Sequence, residues 1–181
     1  MDMSQSITKL KRQTGSVAIE TVCLLPVIIV LLFAVIHYCM IFFAASIFDH
    51  AAKESIRQSM AFVSEECYFS YHSCSGDEVL NQVTPTIRNN AVMVIQGFTH
   101  GEGNSPGTLF GITLPAAEQL IRVSTITDPA GGSEVCCQVS IVLDGYRTTP
   151  FLPIGIIDGL LPGEASVFPD QIVGTAVLKL N

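Results

Sequence analysis

The chain has 181 residues, of which 49% are apolar and only 14% are charged, and its formal net charge is −7. This length accommodates one modest domain plus an anchor, and the charged fraction is below the roughly 25% of ordinary soluble domains. Positions 49–181 carry fourteen acidic residues against six basic ones. A nucleic-acid surface is therefore excluded, since neutralising phosphates requires clustered Lys and Arg.

A basic leader opens the chain, with Lys9, Lys11 and Arg12 against Asp2. The leader, residues 1–15, is followed by an apolar run, and the stretch Gly15-Ser16-Val17-Ala18-Ile19-Glu20 marks the border; residues 21–48 contain no Asp, Glu, Lys or Arg. Lys and Arg concentrate on the cytoplasmic side of a bilayer, which predicts the N-terminus inside and the bulk of the chain outside. An acid at the threshold of a membrane segment is costly, so Glu20 is predicted to have a function.

The uncharged run of 28 residues spans about 42 Å as a helix, more than the roughly 30 Å hydrocarbon core of a bilayer. A cleaved signal peptide is a poor fit, because its apolar core is about 7–15 residues long and Ala44-Ala45-Ser46 lies too far along the run. A plain single-pass anchor fits the length and orientation but leaves Gly15 and Glu20 unexplained. A prepilin-type leader accounts for all of these features.

Beyond Phe48 the pattern becomes amphipathic, which predicts one long helix over residues 16–63 that includes a transmembrane segment at about 21–48. Its second half is predicted to pack under an exported head. Apolar and small residues recur there at helical spacing: Ile47, Ala51, Ala52, Ile56, Ser59, Met60 and Val63.

Residues 12–62 resemble the TadE/TadF-like minor pilins, or pseudopilins, of the tight-adherence (Flp) type IVb pilus. The resemblance rests on Arg12, Gly15, Ala18, Glu20, the Leu25-Pro26 step, the apolar run, and Ala51-Ala52-Lys53-Glu54 to Arg57. One departure is that His37-Tyr38 stands where the family often has an acidic residue.

The resemblance implies that a prepilin peptidase cuts after Gly15 and leaves Ser16 as the new N-terminus. It also implies that Glu20 meets the N-terminal amine of a neighbouring subunit in the filament, and Pro26 is expected to kink the helix. The implied partners are other pilin or pseudopilin subunits, the Tad inner-membrane assembly machinery and the lipid bilayer. The implied place is the bacterial inner membrane, with the head in the periplasm and outside the cell after assembly into the pilus.

Four cysteines lie in the predicted exported part: Cys67, Cys74, Cys136 and Cys137. An even count in an oxidising compartment predicts disulfides, and four cysteines allow three connectivities. Alternation within a strand places the two adjacent cysteines on opposite faces, so they are not expected to bond each other. His72 beside Cys74 lacks a second Cys/His cluster at zinc spacing, so neither a metal nor a cofactor is predicted.

The pattern of apolar and turn-forming residues over 64–181 predicts a small α+β head. A short helix is expected over Asp77–Val94 with an interruption around Pro85, followed by a glycine-rich loop over Gly97–Pro106. Alternation then predicts three strands, around residues 121–125, 135–143 and 172–180. The apolar stretch Pro150–Pro162 is expected to cap the core or to contact a neighbouring subunit. The fold class is thus a long apolar helix with an antiparallel β head.

An enzyme is not expected, because no G-x-S-x-G, HExxH or phosphate-loop motif occurs. The predicted function is that of a minor pilin taking part in pilus assembly or initiation and in surface adherence. Two alternatives share the anchor: a pseudopilin of a type II secretion system, and an anchored periplasmic adaptor that is never processed.

Overall fold

The structure, a computed structural model, describes residues 14–59, 61, 76–126, 135–152 and 168–178. The chain divides into two compact units, Met1–Tyr38 and Cys39–Asn181. The elements in chain order are α1 (Thr14–Ser59), α2 (Gly76–Gln96), β1 (Thr108–Leu109), β2 (Ile112–Thr113), α3 (Ala117–Leu120), β3 (Ile121–Ile126), β4 (Val135–Asp144) and β5 (Gln171–Leu178).

The first unit contributes the N-terminal part of α1. The large apolar side chains here are exposed on every side of the helix, among them Ile19, Leu24, Val30 and Leu31. A helix that is apolar all round is suited to lipid or to the interior of a large assembly. The long N-terminal helix expected over residues 16–63 is therefore present, and the structure gives it as Thr14–Ser59.

In the second unit, the remainder of α1 has one buried face made of apolar and small residues: Ala44, Ile47, Phe48, Ala51, Ala52 and Ile56. The opposite face carries charges, with Lys53 Nζ 2.6 Å from Asp49 Oδ2. The expected packing of this part of the helix under the head is confirmed. The end of the uncharged run, from Ala44 onward, thus contributes to a protein core.

The main sheet is antiparallel in the order β3-β4-β5, with β4 in the centre. One face of the sheet is buried through alternate residues of β4 and β5: Cys137, Val139, Ile141 and Leu143, and Ile172 and Ala176. The alternation expected in these strands is present, and Val142, on the opposite face of β4, is buried as well. A Cβ placed on Gly174 of β5 would lie 2.3 Å from Asp49 N and Phe48 C. The backbone of α1 therefore packs directly on this glycine.

Helix α2 buries Val83, Ile87, Val92 and Ile95 in the same core. It continues through Pro85 without a break, so the predicted interruption there is wrong. Proline removes the N–H that would donate to the carbonyl four residues earlier. That carbonyl belongs to Asn81, and both Asn81 and Pro85 lie on the exposed side of the helix, where the oxygen can accept from solvent.

The glycine-rich loop after α2 is confirmed, and it is held at a narrow neck. Gln96 Nε2 donates to the carbonyls of Gly103 and Ser105, each at 2.9 Å. A Cβ on Gly107, whose φ is +85°, would come within 2.3 Å of Gly101 N. The two ends of the loop therefore pass each other at Gly101 and Gly107, where neither residue has a side chain to obstruct the contact.

Two short elements after this loop were not predicted. Strands β1 and β2 form a hairpin of two residues each, and α3 is a single turn that buries Ala117 and Leu120. The turn between β1 and β2 places Phe110 at φ 50° and Gly111 at φ 85°. Positive φ at both central residues is the pattern of a type I′ turn. With the three-stranded sheet on α1, these elements confirm the α+β class.

Candidate functional site

The predicted cleavage bond between Gly15 and Ser16 lies in the first turn of α1. The first four N–H groups of a helix have no partner within it, and glycine favours a helix about 1 kcal/mol less than alanine. Opening this turn is therefore inexpensive. The cleavage site itself stays a prediction, and its bond is helical in the structure.

Glu20 follows on the same helix, and its side chain is exposed. Its apolar neighbours Ile19 and Val22 are each 70% exposed. The carboxylate stands at the edge of a surface that contains no basic residue from Thr21 to Phe48. Any cation that meets it within such a surface has to come from another group, and an ion pair is most favourable where water is scarce.

Among the described residues, one helix, Ile19–Ser59, is long and apolar enough to cross a membrane. Its most apolar window is entirely exposed, which distinguishes it from the core helix of a soluble protein. Length and composition near an N-terminus also fit a signal sequence. The distinction between a removable signal and a retained anchor therefore depends on Gly15, Glu20 and the continuation of α1 into the head.

Pro26 lies inside α1, six residues after Glu20, and the helix continues past it. Because proline lacks an N–H, the helix loses one backbone hydrogen bond at this point. The predicted kink at Pro26 stays a prediction. Further along, His37 is buried and its ring meets Tyr38 edge-on, with centroids 6.4 Å apart.

The cysteine predictions are tested only in part. Cys137 is buried on the core face of β4, whereas Cys67 and Cys74 lie outside the described residues, so the disulfide stays a prediction. Within the described ranges, no three His, Cys, Asp or Glu side chains come together as metal ligands would. His72, the residue considered for metal, is outside those ranges.

On the charged face of α1, hydrogen bonds to Glu54 lower the pKa of its carboxyl group. The guanidinium of Arg57 donates to Glu54 through Nε at 2.8 Å and Nη2 at 2.5 Å, and Gln58 Nε2 donates at 2.8 Å. These hydrogen bonds, that of Arg57 above all, lower the pKa of Glu54 to about 2. Since the pair lies at the surface, its contribution to stability is small.

Three phenylalanines, Phe43, Phe98 and Phe110, form an exposed cluster that we call the aromatic patch. The Phe43 ring centroid lies 6.4 Å from that of Phe98 and 5.8 Å from that of Phe110. Their exposed fractions are 48%, 49% and 37%. Aromatic rings at such separations attract one another.

The aromatic patch continues inward to buried rings. Phe110 packs against Phe151 at 5.0 Å, and Phe151 packs against Tyr146 at 4.9 Å. The Phe151 N–H donates to Tyr146 Oη at 3.3 Å, and burial raises the pKa of the Tyr146 hydroxyl. The exposed rings are thus supported by the core of the head.

Sequence reasoning missed the aromatic patch, because its residues come from α1, the loop after α2 and the β1–β2 turn. One signal was available: residues 89–117 contain a single charged residue, Glu102. Such a long uncharged stretch in an acidic head marks a surface of different character.

Comparison with curated proteins and with solved structures gave no match. A comparison with protein families gave a match to the family described as TadE-like protein, over residues 15–57. This family consists of structural proteins of the pilin type. Residues 15–57 are therefore similar to the TadE-like family, which confirms the resemblance and is consistent with a TadE-like minor pilin of the tight-adherence system.

Proposed function

We propose that this protein is a minor pilin, or pseudopilin, of a tight-adherence (Flp) type IVb pilus, and that it takes part in pilus assembly or initiation and in surface adherence. The observation that carries the proposal is the TadE-like match, which begins at Gly15 and follows α1 into the head. In this proposal the protein is an assembly component and performs no catalysis.

The first step is processing at the membrane. The basic leader holds the N-terminus on the cytoplasmic side, where a prepilin peptidase cuts between Gly15 and Ser16. Glycine allows close approach of the enzyme backbone because it has no side chain. The cut removes Lys9, Lys11 and Arg12 and creates a free α-amine on Ser16.

The second step is docking. After the cut, the α-amine of one subunit and the Glu20 carboxylate of its neighbour are complementary charges within an apolar surface. Each charge alone is strongly disfavoured there, and the pair relieves both. The four-residue offset corresponds to about 6 Å of helix, so pairing sets the axial register between adjacent subunits. Loosening of the helix at Pro26 would ease its extraction from the bilayer.

The test of processing is the intact mass of the protein purified from its natural host. A mature chain that begins at Ser16 supports the proposal. Gly15→Leu should retain the leader, because a branched side chain obstructs the cleavage site, whereas the matched variant Ser16→Ala should still be cut. An intact Met1 terminus would favour the unprocessed adaptor, and a cut near Ser46 would indicate a signal peptide.

Docking is tested separately with Glu20→Gln, which keeps the shape of the side chain and removes its charge. We expect normal cleavage but a loss of this subunit from sheared pili, of about tenfold or more for a lost buried ion pair. Glu20→Asp is the matched control, since it keeps the charge. Normal incorporation of the glutamine variant would rule out the docking role.

A further inference from the structure

The aromatic patch places three phenylalanines at the surface of the head, which is unfavourable in water unless something covers them. Phe42, the preceding residue of α1, is 77% exposed. Met93 of α2, at 68%, is a further exposed apolar side chain in the uncharged stretch. Monomeric domains rarely expose such clusters without an interaction to serve.

The conformation of Phe110 is a second, independent observation. It occupies φ 50° in the β1–β2 turn, a region where Asn, Asp and Gly are favoured and a bulky side chain is a genuine outlier. A residue held in such a conformation is often retained for what it contacts. Here the turn holds the ring against Phe43 with 37% of its surface exposed.

The position of Phe43 along α1 indicates which partner covers the patch. The uncharged run begins at Thr21, and a helix crosses the hydrocarbon core of a bilayer in about 20 residues. The helix would therefore emerge near Met40. Phe43 lies three residues further, at the level of the lipid headgroups, and Phe98 and Phe110 lie at the same level because their rings contact it.

The chemistry of the surrounding chain agrees with a lipid partner. Residues 89–117, which supply Phe98 and Phe110, contain one charged side chain, so little charge has to be desolvated. Phenylalanine side chains on an otherwise polar surface insert at the boundary between headgroups and acyl chains.

We propose that the aromatic patch is a bilayer-contact surface: Phe43, Phe98 and Phe110 insert among the lipid headgroups of the leaflet facing the head while the subunit is anchored. This proposal rests on the proposed membrane anchoring by α1. It assigns the β1–β2 hairpin and the loop after α2 a function in seating the head on the lipid surface before assembly.

The test uses the absence of tryptophan from the natural chain. The full chain, carrying one tryptophan at a time, is reconstituted at low density in vesicles of phosphatidylethanolamine and phosphatidylglycerol. Part of the phosphatidylethanolamine carries bromine on its acyl chains, near the headgroup in one set of vesicles and near the middle of the chain in another. The reporters are Phe110→Trp and Phe98→Trp, and the second covers the case in which tryptophan disturbs the strained turn.

Two matched variants complete the set. Val177→Trp labels the face of β5 opposite to Gly174, where the side chain is 54% exposed. Phe33→Trp labels the predicted membrane segment. We expect the patch reporters to be quenched by brominated lipid about twofold more than Val177→Trp, and to be less accessible to aqueous iodide.

Two results would overturn the proposal alone. One is quenching of Phe33→Trp while both patch reporters behave like Val177→Trp. The other is protection of the patch reporters from iodide only at high protein density, which would assign the patch to a second protein chain. If Phe33→Trp itself escapes quenching, the anchoring fails, and the proposed function fails together with this inference.

Discussion

The two parts of helix α1 are built for different surroundings, although they belong to one continuous element. Before Tyr38 the large apolar side chains are exposed all round the helix. From Ala44 to Ser59 the large apolar residues are confined to one buried face, small residues are frequent, and charges occupy the other face. The distribution of apolar residues around a helix therefore indicates its surroundings. A helix that is apolar on all sides is suited to lipid or to the interior of an assembly, and a helix that is apolar on one side packs that side against a protein core.

The sharpest test of this comparison uses two phenylalanines from the same helix. Phe48 is fully buried, whereas Phe42 is 77% exposed. Phe48→Ala should lower the free energy of unfolding by about 3–5 kcal/mol, because it leaves a cavity in the head. Phe42→Ala should change it by no more than about 0.5 kcal/mol. Denaturant unfolding of the full chain in detergent micelles, followed by near-ultraviolet circular dichroism, measures both.

Equal effects of the two alanine variants would contradict the division of α1 into an exposed and a buried part. A membrane-fractionation assay provides the complementary readout. Both variants should remain in the membrane fraction, since neither introduces a charge into the apolar run.

The second prediction concerns the contact between α1 and β5. Gly174→Ala should lower the free energy of unfolding by about 1–3 kcal/mol, because its methyl group overlaps the helix backbone at Phe48 and Asp49. The matched control is Thr175→Ala, whose side chain is exposed on the opposite face of the strand. Thermal unfolding in detergent compares the two, and an unaffected alanine variant at Gly174 would show that the helix does not approach this strand so closely.

The smallest expected effect comes from the charged face. The pKa of Glu54 is lowered from 4.5 to about 2, so its stabilising contribution is present above pH 4.5 and is lost as the pH falls towards 2. The melting temperatures of the natural chain and Glu54→Gln should therefore differ slightly at pH 7 and converge near pH 2. In an Arg57→Gln background this pH-dependent difference should shrink, because the main hydrogen-bond donor is absent.

Much of this fold could be predicted because its signals are local and periodic. The alternation in β4 and β5 located both strands and their buried faces, including Cys137. The spacing in α1 located the residues that pack under the head. The border from Gly15 to Glu20 could be recognised because charge, glycine and apolar length coincide over a few residues.

The features that escaped prediction depend on tertiary structure. Strands of two residues, such as β1 and β2, are too short for alternation to appear, and a turn of Phe110 and Gly111 lacks the usual Asn-Gly signal. The continuation of α2 through Pro85 depends on the position of this proline on the solvent-exposed side of the helix, which only the packed structure defines. The aromatic patch and the close approach at Gly174 join residues that are far apart in sequence, so no window of the chain contains them.

The crossing of Gly101 and Gly107 has a consequence for how the head varies among homologues. A side chain at either position would collide with backbone atoms, whereas nothing lies within 4 Å of the Cβ position at Gly103, and Asn104 is exposed. The loop therefore has a neck that excludes side chains and a tip that accepts them, since Gln96 holds the tip through backbone carbonyls alone. In homologous heads that share this loop, the side chains between residues 102 and 105 should vary, while glycine persists at both ends of the neck.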